Sequence, residues 1–591
     1  MLLRLPGLVG ALVLAGCAGV AAPPSPHMEI ALLGFNDLHG QLEPPRQSVV
    51  LPSTHKAQGT ITVPVGGLAY LAGTVAALKA RTPHHAVVAA GDVVGASPMM
   101  SALFLDEPTI EALNQMQVDV SAVGNHELDR GWLELLRLQN GGCARYTARQ
   151  PCQLNPAFAG ARFQFLAANI VPEGRGESPL PATAIKRFTQ GDHTVTVGFI
   201  GVTLQAAPKV VSPAGVRGLQ FADEAESANA QAARLRANGA DMVVLALHEG
   251  GATTASAVET SCAGLRGDIV PILERLSSAI DVVISGHTHQ AYVCDYASIN
   301  PAKPFLLTSA GAYGMWVTDI VLRFDLATRR LVHKSARNVA VQNGGYESSA
   351  GKIMPSPLYP SYVPDVGVQA VLDRYRVAAA PWIDKPVGRL LGTVTRQTAP
   401  SGESALGNLV ADAQLWATQS PDAGGAQISL MHAGGLRADL LPDVQGQVRY
   451  GQLFAVQPFG NHLVVQTLTG AQIRTLLEQQ FDPLAQPSQR SRVLSVSSGF
   501  SYRYDLSKPP GARVMAMTLH GQAMEEAQDY RVVVSSFLAQ GGDRYPVFTQ
   551  GRDVLGGMLD VDALEGYFGA QGMVQPPMPD RIKRTDVLVR R

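Results

Sequence analysis

The sequence predicts an α/β protein of two large domains, and three observations carry that prediction. From Glu29 to about Arg337, short apolar β-branched runs alternate with helical stretches, the pattern of strands buried on both faces. The composition supplies sizeable cores: of 591 residues 46% are hydrophobic and only 16% charged, against a usual ~25%, which excludes disorder as the main state. Near Val387 the pattern shifts to shorter strand and helix signals, which marks a second domain. The 47 Lys+Arg and 48 Asp+Glu give a net charge of −1. Neither a basic field for nucleic acid nor an acidic tail is present, and no obligate protein partner is implied.

The chain opens with Arg4, a short apolar stretch Leu8–Leu14, and Leu14-Ala15-Gly16-Cys17. This is too short for a spanning helix of ~20 residues and ends in small residues, so it reads as an export signal. Its last four residues resemble a bacterial lipobox, which makes Cys17 the lipidated residue that anchors the chain to a membrane, in the periplasm or at the cell surface. Ala18 after it is compatible with outer-membrane sorting. Residues 1–17 are thus expected to be a signal peptide and 18–27 a small-residue, Pro-rich tether.

The first domain is expected over residues 28–345. Its strand candidates are Ile30–Phe35, Ala86–Ala90, Val118–Val123, Phe163–Ala168, Thr194–Val202, Met242–Leu247, Val282–Ser285 and Phe305–Thr308. Helix candidates are Gly67–Arg81, Thr109–Met116, Glu224–Asn238 and Ile269–Leu276. The polar insertion between Gln47 and Thr62 reads as a loop. Residues 346–386 form a linker whose helix, Val366–Ala380, is expected to stop before Pro381. The second domain follows over 387–575, and 576–591 reads as a basic tail.

Beyond Cys17 there are four cysteines, which allow three connectivities. An exported chain sits where disulfides persist. The favoured pairing is Cys143–Cys152, closing a short loop, with Cys262–Cys294; four unpaired thiols are the alternative.

Position is the most informative feature. Asn36-Asp37-Leu38-His39, Gly91-Asp92, Gly124-Asn125-His126-Glu127, His248-Glu249 and Gly286-His287-Thr288-His289 each follow the C-terminal end of an apolar strand. Open α/β sheets carry their sites there. Imidazole and carboxylate with one amide suit borderline divalent ions such as Zn, Mn, Co or Fe. Asp37, His39, Asp92, Asn125, His248, His287 and His289 give two ions four ligands each if Asp92 bridges.

These five motifs in order resemble the signature of calcineurin-like metallophosphoesterases, and Asn125-His126-Glu127-Leu128-Asp129 resembles the segment particular to the 5′-nucleotidase family. The resemblance implies a four-layer αββα sandwich followed by a smaller α+β substrate-specificity domain. It also implies a catalytic dyad of His126 and Asp129, whose i, i+3 spacing lets the carboxylate face the imidazole. Glu127 is expected to be structural.

The distal half carries matching segments: Glu403 to Ala413, His432-Ala433-Gly434-Gly435-Leu436-Arg437, Pro458-Phe459-Gly460-Asn461 and Phe537 to Asp543. The resemblance implies that Phe459 and Phe537 sandwich a nucleobase, Asp543 binds ribose hydroxyls and Arg437 binds phosphate, with His432 and Gly435 in the same pocket. The family usually has Asn where this chain has His432, which leaves base preference open. Arg396 is a candidate second phosphate contact.

The expected function is therefore an exported hydrolase that releases phosphate from nucleoside 5′-monophosphates. Alternatives are a 2′,3′-cyclic nucleotide phosphodiesterase, a hydrolase of nucleotide sugars or di- and triphosphates, or, in another class, a surface nucleotide-binding protein with vestigial hydrolysis.

Overall fold

Strands that are apolar on both faces need a second layer on each side, and here they build two sheets packed face to face. The computed structural model describes residues 27–53, 59–147, 149–174, 178–211, 215–348, 351–481 and 492–586. Cys17 with its export segment and tether, and His55 and Lys56 of the insertion, lie outside the described residues.

The first six-stranded sheet has His27–Phe35 at its centre, parallel to His85–Ala89, which leads on to Val120–Ala122 and Gln164–Leu166. On its other side Trp316–Asp325 pairs antiparallel, followed by Arg330–Ala340. The second six-stranded sheet runs Ala291–Asp295, Leu306–Ala310, Val282–Ser285, Met242–His248, His193–Thr203 and Thr183–Gln190. Strict alternation assigns the faces. Met28, Ile30 and Leu32 meet Met242, Val244 and Ala246 between the sheets. Leu33 and Phe35 instead turn to the helices Leu68–Lys79 and Glu107–Met116, and Val243, Leu245 and Leu247 to Glu224–Ala237 and Ile269–Arg275. This is the four-layer αββα sandwich. Both expected disulfides form, Cys143–Cys152 and Cys262–Cys294.

The second domain holds a five-stranded sheet in the order Ser495–Val496, Ile428–Met431, Asp529–Ser535, His462–Thr469, Arg552–Leu559. A four-stranded and a three-stranded sheet accompany it, with helices Ala405–Thr418, Tyr450–Val456, Gly470–Gln479 and Asp560–Gln571. Its inner core gathers Ile428, Leu476, Phe500, Tyr502 and Val532.

Three segments differ from expectation. The insertion is a β-hairpin, Ser48–Pro52 paired with Thr60–Pro64. The linker helix does not stop before Pro381 but runs Val366–Ile383. Proline forfeits the bond to the carbonyl four residues back, that of Val377; Val377 is 76% exposed, so water can take that carbonyl. Within the expected basic tail, Ile582–Arg584 is the outer strand of the four-stranded sheet, and Arg581 pairs with Asp412.

The helix Val366–Ile383 joins the two domains through packing as well as sequence. Val368, Leu372, Tyr375 and Ala379 belong to a single apolar cluster with Leu71 and Leu113 of the first domain and Leu406, Leu453 and Leu564 of the second. The interface is therefore continuous with a core.

Candidate active site

The parallel strands end side by side, so the loops after them converge. Buried Asp37 and His39 follow the first strand, and buried Asp92 follows His85–Ala89. Asn125 and His126 follow Val120–Ala122, His248 ends Met242–His248, and His287 and His289 follow Val282–Ser285. Backbone geometry marks the same residues: Asp37, His39, Asp92, His287 and His289 all have positive φ, between 50° and 68°. Side chains other than glycine avoid this region, at a cost of about 1–3 kcal/mol each, unless the surroundings over-determine it.

Two clusters result. In one, His39 Nε2 lies 3.0 Å from His289 Nε2, and Asp37 Oδ1 lies 3.4 Å from His289 Nε2. In the other, Asn125 Oδ1 lies 3.1 Å from both His248 Nε2 and His287 Nδ1. Asp92 joins them, its Oδ2 being 3.1 Å from His248 Nε2 and 3.7 Å from His39 Nε2. Donors that hold an ion at about 2.0–2.2 Å are themselves about 3–3.5 Å apart, so these spacings fit divalent cations. Tautomers fit as well. The carbonyl of Gly95 can only accept from His39 Nδ1 (3.0 Å), and that of Ala90 from His248 Nδ1 (2.7 Å). This turns each Nε2 lone pair into the cluster, as metal-ligating histidines require. Two imidazole nitrogens facing each other at 3.0 Å, beside two buried carboxylates, call for a cation.

The surrounding groups hold the clusters. Asn36 Nδ2 donates to Asp37 Oδ2 and to the Gly311 carbonyl, both at 2.7 Å. Buried Glu127 accepts four backbone N–H bonds: Asp92 and Gly124 on one oxygen, Val93 and Val94 on the other. It thus ties the Asp92 loop to the Asn125 loop. Burial first, then the Asp92 carboxylate, push Glu127 up to about 8. Gly91 and Gly124 keep the loops close: a Cβ on the first would come 2.5 Å from His248 Nδ1, and one on the second 2.2 Å from Asp92 Oδ1.

His126 and Asp129 meet as expected, with Nδ1 3.0 Å from each carboxylate oxygen. Ala96 N–H donates to Asp129 Oδ2 at 3.0 Å and fixes the carboxylate. Burial works against a charged His126, but the Asp129 and Asp92 carboxylates outweigh it and raise its pKa above the ordinary histidine value.

A cavity of about 180 Å³ begins at Asn125, His126, Asp129 and His287 and continues between the domains to His432, Arg437, Phe459, Asn461, Phe537 and Asp543. Phe459 stacks on His126 with ring centroids 5.6 Å apart, and the Arg437 guanidinium lies 5.6 Å from the Phe459 centroid. Arg437 Nη2 is buried with no hydrogen-bond partner, an orphaned cationic donor at the wall of the cavity. His432 Nδ1 lies 2.6 Å from Asp543 Oδ2, and Gly435 packs against the His432 ring. Five of the predicted pocket residues, His432, Arg437, Phe459, Phe537 and Asp543, thus line one cavity, while Gly434 lines it in place of the expected Gly435. Arg396 does not line it and pairs with Asp439 instead. Asn461 and Val210 line it without having been assigned a role; Asn461 stood inside a quoted motif, while Val210 carried no sequence signal.

Comparison with known proteins gives two family matches: a calcineurin-like phosphoesterase domain over residues 30–291 and a 5′-nucleotidase C-terminal domain over residues 386–550. The chain is 29% identical over 546 residues to the endonuclease YhcR of Bacillus subtilis, covering 92% of this chain and 40% of that protein. It is 27% identical over 569 residues to the cell wall protein Lmo0130 of Listeria monocytogenes, covering 92% of this chain and 67% of that one. The chain therefore spans well under two thirds of the Bacillus relative. Among solved structures, a 5′-nucleotidase precursor from Thermus thermophilus matches with a TM-score of 0.72 and 25% identity, over 95% of this chain and all of the other.

Proposed function

Because the chain belongs to the 5′-nucleotidase family, a family of metal-dependent phosphoric ester hydrolases, we propose that it releases inorganic phosphate from nucleoside 5′-monophosphates. The observation that carries this reading is the cavity that runs from Asn125, His126 and His287, at the edge of the His/Asp clusters, past Arg437 with its unpartnered Nη2, to a pair of phenylalanines. A nucleotide has the matching order of parts: phosphate, ribose, base.

Asp37, His39, Asp92, Asn125, His248, His287 and His289 would hold two divalent ions, with Asp92 between them. Such ions supply Lewis acidity toward phosphoryl oxygens and an acidified water. The chain's own groups do the rest. Arg437 forks onto the phosphate and orients it. Asp129 holds the His126 imidazole in place and favours its charged form, so that Nε2–H faces the phosphoryl group and can protonate the departing 5′ oxygen. Phe459 and Phe537 stack on the base, which contributes about 1–3 kcal/mol and tolerates different bases. Asp543 accepts from the ribose hydroxyls.

We place the protein outside the cytoplasm, anchored through Cys17. Two disulfides and a likeness to a cell wall protein support this placement. Among the described residues no helix is long and apolar enough to cross a membrane.

The likeness to an endonuclease favours phosphodiesters as a second substrate class. Phosphate release from AMP and UMP tests the proposal against 2′,3′-cyclic AMP, UDP-glucose and bis-p-nitrophenyl phosphate. The expected result is fast release from the monophosphates, lost with EDTA, restored by Mn, Co or Zn, and abolished by D92N. Faster turnover of the diesters would replace the monophosphates as substrate. Full activity of D92N would overturn the assignment.

A further inference from the structure

The polar groups at the far end of the cavity are His432, Asn461 and Asp543. Each is engaged by the protein itself. A carboxylate can only accept, so His432 Nδ1 carries the proton it gives to Asp543 Oδ2 at 2.6 Å. His432 Nε2 lies over the turn, where a Cβ on Gly435 would come within 2.6 Å of it. The ring is 6% exposed and stacks on Phe537, with centroids 5.2 Å apart and planes 26° from parallel. Asn461 is held in the same way: its Oδ1 accepts from Ser536 Oγ at 3.3 Å, and its side chain also bonds to the buried Asp560 carboxylate.

His432 Nδ1 and Asn461 Oδ1 are thus spent on the protein, although both residues line the cavity. Asp543 is different. Its side chain keeps 31% exposure, its backbone is in the left-handed region at φ 52°, and one of its oxygens is pinned by His432. That pin fixes how the carboxylate faces the cavity. The stack fixes the plane of Phe537, which Gly542 crowds so closely that a Cβ there would lie 2.5 Å from the ring.

From this geometry we infer that His432 sets the ribose selectivity of the pocket: it braces Asp543 and Phe537, so that the carboxylate is held where it can accept from the ribose hydroxyls. The inference rests on the nucleotidase reading above. His432 is a positioning residue, since it acts through Asp543 and Phe537.

The test compares kcat/KM for AMP, GMP, CMP, UMP and 2′,3′-dideoxy-AMP in the metal-loaded wild type, H432L and H432N. Metal content and thermal transition serve as fold controls. The wild type should turn over the four ribonucleotides within about tenfold of one another, since stacking tolerates every base. It should discriminate against the dideoxy nucleotide by about tenfold or more, the loss of a charged hydrogen bond. H432L, which lacks the donor, should lose that discrimination. H432N, which restores an N–H, should recover it. Should H432L not fold, H432F keeps the ring stack on Phe537 without the donor and should lose the discrimination as well. An unchanged AMP-to-dideoxy ratio in the donor-less variant overturns the brace. So does a strong base preference of the wild type that H432L abolishes. Cleavage of p-nitrophenyl phosphate with no turnover of any nucleotide overturns the nucleotidase reading itself, and this inference with it.

Discussion

At the scale of single residues, the site works by holding strained side chains where neighbours leave them no alternative. Asp129 shows this for the proton. Its carboxylate, with that of Asp92, raises His126 against the burial that would keep the ring neutral. The charged ring is present below the raised pKa and is lost as pH rises through it. D129N should therefore move the alkaline limb of the kcat/KM profile to lower pH, and H126A should cost about 10²–10⁴-fold in kcat; a pH–rate series on AMP checks both. An unmoved limb in D129N would remove Asp129 from that role. The metal-competent residues were legible in the sequence because all seven stand at or just behind the C-terminal ends of five apolar strands. What Glu127 does was not legible: its four backbone donors come from two loops that meet only in the fold. The orientation of His432 was hidden for the same reason, since its partner Asp543 is 111 residues away.

At the scale of elements, legibility followed burial. The eight apolar runs all form strands of the sandwich, seven of them within two residues of the expected ends and the first beginning three residues earlier, at His27, while Trp316–Asp325 and Ala291–Asp295 were not among the candidates. Thr183–Gln190 is an edge strand with one buried residue, and its backbone pairing leaves no hydrophobic pattern to read. The hairpin of Ser48–Pro52 and Thr60–Pro64 was missed because only Leu51, Val63 and Pro64 of its strand residues are buried, too few for an apolar run. The helix Val366–Ile383 was found, but its end was misplaced because a proline in an exposed last turn is tolerated. That helix carries a testable load. Leu372 is 4% exposed within the cluster shared by both domains. L372A should destabilise the protein by about 2–5 kcal/mol, the range for buried Leu→Ala, read as a lower midpoint in guanidinium. A change within 0.5 kcal/mol, the range of a surface substitution, would show that the helix is a tether and no part of the core.

At the scale of the whole molecule, the site and the fold are thermodynamically linked. Asp37 and Asp92 are buried beside five imidazoles, an arrangement that cations stabilise. Exhaustive EDTA treatment should lower the thermal transition, and added Mn, Co or Zn should restore it in proportion to log concentration. A transition indifferent to metal would mean that the clusters are held by the scaffold alone. The two-domain order was readable from composition, but the sharing of one apolar cluster by residues as distant as Leu33 and Val574 was not. That sharing has a consequence for the chain as it is made. A nascent first domain has no full cover for the face built by Leu71, Leu113 and Leu372 until the ribosome has passed Leu406, Leu453 and Leu564 of the second domain. An adhesive surface stays uncovered while the second domain is being made, and the chain has to be kept from sticking to others throughout that interval.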